Sequence, residues 1–99
     1  MAFHVVVEYT RPNTDTTWYS NTDQFTTYGN AQAASGNRTS HNVSVSANGL
    51  VQTVTTAWKD RSTFNTARAS DEIVAHVNAR NAYNTTNSIS KNKTRFEES

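Results

Sequence analysis

The sequence predicts an α+β sandwich: four strands in one sheet, helices on one of its faces. Three observations carry this expectation. Residues 3–10, "FHVVVEYT", alternate like a strand; Asn48-Gly49 joins two β-rich runs; and helix-capping residues open segments after the first strand and after Trp58.

The first strand is rich in β-branched and aromatic residues and is ended by "RPN". One face carries Phe3, Val5, Val7 and Tyr9; the other carries His4, Val6, Glu8 and Thr10. An extended connection holding Trp18 follows. A short helix is predicted within 21–37, with Asn21 as its cap and Gln24 three residues on, as a capping box requires. Phe25, Tyr28 and Gln32 share its inward face, and Gly36 stops it, although Thr26, Thr27 and Gly29 are poor helix formers.

Residues 41–58 read as a hairpin. A two-residue type I′ turn needs positive φ at both positions, which Asn48-Gly49 favours. That turn sets Ala47 against Leu50, Val45 against Gln52 and Val43 against Val54. Val43, Val45, Ala47, Leu50, Val54 and Trp58 then form a core face. Ser44, Ser46, Val51, Thr53, Thr55 and Ala57 form a small, polar one.

After Trp58 the period changes. Asp60 or Ser62 caps a short helical turn containing Phe64 and Ala67, and Ser70 caps a longer helix. Asp71 and Glu72 sit in its first turn, where the helix dipole favours anions, and Ile73, Val74, Val77 and Tyr83 give it an apolar side. The polar run 84–93 reads as a connection and 94–98, "TRFEE", as the last strand. The order β-α-β-β-α-β is that of a ferredoxin-like sandwich, expected here as one domain over 1–99. Trp58, the last inward residue of the third strand, is placed to plug the core where sheet passes into helix.

Composition narrows the function classes. Nine basic and eight acidic residues give a net charge of +1, so nothing steers the chain to nucleic acid. The densest basic run, "KNKTR" at 91–95, reads as a solvated loop or edge strand. The absence of cysteine removes disulfides, thiolate metal sites and thiol nucleophiles, and fits a cytoplasmic setting. "MAFHVVVEY" is too short an apolar run, without a basic leader, for a signal peptide. No stretch approaches the roughly 18 apolar residues of a membrane span. The hydrophobic fraction, 34%, is thin for a globular core, so one face is expected to be buried against a second copy.

Within "AWKDRSTFNTARASDEI", Trp58 ends a strand, a polar pair follows, Phe64 stands six residues on, and Ser70 opens the main helix. In these residues the chain resembles the antibiotic-biosynthesis-monooxygenase-like domains of the dimeric α+β barrel superfamily. The motif spans under a fifth of the chain; the element order covers nearly all of it. The resemblance implies a homodimer with two sheets packed face to face, and a superfamily that holds oxygenases, haem-handling enzymes and isomerases. The abundant Thr and Asn, scarce Leu and single Pro also resemble small bacteriophage proteins, which would place the chain in a host cytoplasm.

The haem-degrading branch carries Asn, Trp and His at positions that match Val7, Ala67 and Val77 here, so haem degradation is not expected. His76 is one residue away, which rotates a helical side chain by about 100°. Tyr9, Trp18, Trp58 and His76 are the candidate lining residues of a pocket for a small apolar ligand. The same residue types more often serve otherwise: a buried Trp or Tyr is usually core, and a lone His on a helix is usually exposed. No cofactor and no metal is expected: His4 and Glu8 share a strand face but stand about 13 Å apart, and could meet His41 only across a dimer. The expected function is a binding or accessory module, the alternative a cofactor-independent monooxygenase. They differ in one observable: the oxygenase needs a cavity of roughly 300 Å³ or more reaching Trp58 and His76, and fails if Trp58, Phe64 and Tyr9 close that space.

Overall fold

The structure is a computed structural model describing residues 1–97. Its elements run β1 (Phe3–Thr10), α1 (Asp23–Ala34), β2 (Arg38–Val45), β3 (Val51–Trp58), α2 (Arg61–Arg68), α3 (Asp71–Thr86) and β4 (Ser90–Glu97). The strands form one sheet in the order β2-β3-β1-β4, antiparallel at every pairing. This is the ferredoxin-like arrangement, with the second helical unit split into two helices.

β1 takes a central place because its alternating face is apolar throughout. Phe3 lies opposite Trp58, Val7 opposite Val54 and Tyr9 opposite Gln52. Phe3, Val5 and Tyr9 are buried beneath the helices. The dense core gathers at one end of this face, where Phe3, Val5, Trp58, Phe64 and Ala67 pack together and Val7 and Tyr28 lean on them. The Phe64 ring centroid lies 5.0 Å from that of Phe3 and 5.7 Å from that of Trp58. Trp58 thus sits where its position predicts, and its indole Nε1 donates to Thr56 Oγ1 at 3.3 Å.

The hairpin has the predicted register, Val43 opposite Val54 and Val45 opposite Gln52, but a different turn. Gly49 has φ of 76° whereas Asn48 does not adopt positive φ, so the connection is a four-residue loop over 47–50. Asn48 Oδ1 accepts from the Leu50 N–H (3.0 Å) and the Ser46 hydroxyl (2.7 Å), closing the loop through its side chain and leaving the left-handed backbone to Gly49. The expected core face is also incomplete. Val43 and Val45 remain 46% and 49% exposed, because the helices do not reach over this part of β2.

Helix ends follow capping chemistry, with one shift. Thr22 rather than Asn21 caps α1, its Oγ1 accepting from the Phe25 N–H at 3.2 Å. Starting one residue later still turns Phe25, Tyr28 and Gln32 inward. Asp60 caps α2, accepting from the Thr63 N–H at 2.7 Å, and Ser70 caps α3. On α3 the inward stripe is Ile73, His76, Val77 and Arg80, while Val74 is 39% exposed. β4 starts at Ser90, well before the predicted strand; residue 98, the end of that prediction, lies outside the described residues. Among the described residues no helix is long and apolar enough to cross a membrane.

Candidate functional site

Because the dense core fills only one end, a cavity of about 300 Å³ remains between sheet and helices. That is the lower bound of volumes typical for small-molecule sites. Its floor is the inner face of the sheet: Val5, Val7 and Tyr9 from β1, Gln52, Val54, Thr56 and Trp58 from β3. Phe25 and Tyr28 of α1, Phe64 of α2, and Ile73, His76 and Val77 of α3 enclose it, and Tyr19 closes one side.

Tyr9, Trp58 and His76 therefore line one cavity. Trp18 does not: it lies in the β1–α1 connection beneath Arg11, whose guanidinium sits 4.6 Å from the ring centroid. Arg11 is tethered there by donating to the Gly49 and Thr16 carbonyls. The neighbouring Tyr19 takes the place expected of Trp18. Its ring meets His76 edge-on at 5.8 Å and Tyr83 at 5.5 Å.

His76 is buried, whereas a lone histidine on a helix is more often exposed. Its ring stacks on Phe25 with centroids 3.5 Å apart, and its Nδ1 is buried without a hydrogen-bond partner. Burial, reinforced by the positive charge of Arg80, lowers its pKa to about 4. At neutral pH the imidazole is uncharged. One helical turn on, the Arg80 guanidinium lies 3.9 Å from the Tyr9 ring centroid and donates to Gln52 Oε1 at 3.0 Å. Burial lowers its pKa and raises that of Tyr9.

The basic run at 91–95 contributes more than its composition suggests. β4 is an edge strand, as expected, and its register places Lys91 opposite Tyr9, Lys93 opposite Val7 and Arg95 opposite Val5. All three cations therefore share the helix-covered face, while Asn92 and Thr94 point the other way. Lys91 and Lys93 reach the cavity, and Arg95 lies over the Phe64 ring at 5.1 Å. Burial, with Arg95, Arg68 and Lys91 nearby, lowers the Lys93 pKa to about 8. On the opposite edge a register shift between Arg38 and Ser40 brings Arg38 and His41 to the same inner face. Arg38 packs closely on α1: a Cβ at Gly29 would meet its Nη1 at 2.8 Å, a contact that the end of the arginine side chain would have to move to relieve. His41 thus faces away from His4 and Glu8, which lie on the other side of the sheet. Among the described residues no group of three or more His, Asp or Glu is placed to hold a metal.

An α+β sandwich with a half-open, aromatic and cationic cavity is the class that these observations define. No protein-family model and no curated protein matches the sequence. Solved structures do share the fold. SnoaB, a cofactor-independent oxygenase from Streptomyces nogalater, superposes with a TM-score of 0.63 at 14% identity, covering 99% of this chain and 93% of its own. A candidate antibiotic biosynthesis monooxygenase from Deinococcus radiodurans gives 0.64 at 9% identity, over 98% and 92%. A dimeric ferredoxin-like protein from an uncultured marine organism gives 0.61 at 11% identity, over 96% and 92%. The chain thus has the fold of the antibiotic-biosynthesis-monooxygenase-like proteins, as the residues around Trp58 imply. At these identities the likeness concerns fold alone.

Proposed function

We propose that the protein is a homodimeric small-molecule-binding module that takes a small aromatic ligand into the cavity between its sheet and helices. The single observation that supports this most strongly is that cavity, which reaches both Trp58 and His76 and is walled by aromatic rings. The cavity is tested by titrating naphthamide, a neutral two-ring probe, and following tryptophan emission. Val54→Phe narrows the floor and is expected to weaken binding by about tenfold or more, a loss of at least ~1.4 kcal/mol, with the melting temperature preserved. Unchanged affinity in that variant would place the probe elsewhere and overturn the reading.

A second reading is cofactor-independent oxygenation, in which the substrate supplies the electrons. It is favoured by the same cavity, whose size and reach to Trp58 and His76 an oxygenase requires, by the fold shared with SnoaB and by an uncharged His76 with a free ring nitrogen beside Arg80. Dimerisation is supported by the uncovered sheet face, where Val6, Thr53 and Thr55 are half-buried and Phe96 is 48% exposed. The marine protein of the same fold is dimeric.

A further inference from the structure

The charge lining the cavity is one-sided. Five of the nine Lys and Arg residues, namely Arg38, Arg68, Arg80, Lys91 and Lys93, line it, and among the described residues no lining side chain is acidic. The described carboxylates are placed elsewhere: Asp23, Asp60, Asp71 and Glu72 at helix N-termini, Asp15 in the β1–α1 connection, Glu8 on the far face of the sheet, and Glu97 at the end of β4, paired with Arg61 at 2.9 Å. Although the chain as a whole has a net charge of only +1, among the described residues no carboxylate lines the cavity beside these cations.

Hydrogen bonding points the same way. Nε of Arg68, Nε of Arg80 and Nδ1 of His76 all belong to cavity-lining residues, and all three are buried without a partner. The two guanidinium nitrogens only donate, and a buried donor left unmatched is destabilising. What completes this set is an acceptor, and a charged one makes the strongest bonds.

We propose that the ligand is an organic anion: an apolar body of one or two rings lying along Val54 and Phe25, with a carboxylate or equivalent oxyanion among Arg68, Arg80 and Lys93. The proposal rests on the binding reading above and adds the charge class of what is bound. Lys93 and Arg68 approach from β4 and α2, so an oxyanion between them also offsets the burial and the repulsion from Arg95 and Arg68 that depress the Lys93 pKa.

Calorimetric titration at neutral pH with three probes of one shape tests it: naphthoate, naphthamide and naphthylmethylammonium. Naphthoate is expected to bind about tenfold or more tightly than naphthamide, and the ammonium more weakly than either. Lys93→Gln and Arg68→Gln are each expected to reduce the preference for naphthoate over naphthamide severalfold. Equal binding of acid and amide, or a preference for the ammonium, overturns the anion proposal but leaves the cavity reading standing. If none of the probes binds, both fall. The comparison among probes on the unmodified protein decides the matter even where a variant folds poorly.

Discussion

His76 and Arg80, one turn apart on α3, show how a side chain acquires chemistry from its surroundings. Burial and the neighbouring guanidinium hold the folded-state pKa of His76 at about 4, below its ordinary value of 6.5. Above pH 6.5 the imidazole is neutral in folded and unfolded chains alike and has no effect. As pH falls from 6.5 towards 4 the unfolded chain takes up a proton that the folded chain refuses. Stability is therefore lost across that window, by at most about 3 kcal/mol, and the loss saturates below it. Urea unfolding at pH 7 and at pH 5 checks this. His76→Asn is expected to flatten the pH dependence relative to the unmodified protein; an unaltered slope would show that other groups account for it.

The helices repeat one terminal motif with different residues. After α1, Gly36 takes φ of 83°, its N–H reaching the Ala33 carbonyl (3.1 Å) and the Asn37 N–H reaching that of Gln32 (3.0 Å). After α3, Ser88 takes φ of 58° in the same position, and the Ile89 N–H reaches the Asn84 carbonyl at 2.8 Å. Ile89 is buried, which draws the chain into this turn although serine adopts left-handed backbone at a cost. Ser88→Gly is expected to stabilise the fold by about 1 kcal/mol and raise Tm by a few degrees, read by thermal melting. The sequence carries no glycine here, so 84–93 looks like a plain polar connection, and the end of α3 and start of β4 are hidden. By contrast Gly36, Asp60 and Ser70 announce their helix ends through local bonds that a short segment makes alone.

For the whole molecule the main consequence is that one sheet serves two faces. The inner one holds the core and the cavity; the outer one, with Val6 opposite Thr55, is neither charged like a solvent face nor apolar like a core. If two copies pair through it as proposed, sedimentation at micromolar concentration gives twice the 11.0 kDa of one chain. Thr55→Lys, which sets a charge in the middle of that face, is expected to yield the monomer. A single species of 11.0 kDa from the unmodified protein removes the proposed assembly.

Element order, the alternating faces of β1, the hairpin register and three of the cavity residues were legible from the chain, because strand alternation and caps are local properties. Trp58 announced the end of β3 in the same way. The gathering of Arg38, Arg68, Arg80, Lys91 and Lys93 around one space was not legible, although the alternation in "KNKTR" was a clue to its last two members. Those side chains come from four separate elements, and their common location depends on sheet order, a register shift in β2 and the angle at which α3 lies across the strands. Long-range packing sets all three. The burial of His76 and the exclusion of Trp18 have the same origin: each side chain's local sequence is compatible with either environment, and the neighbours that choose between them lie far away along the chain.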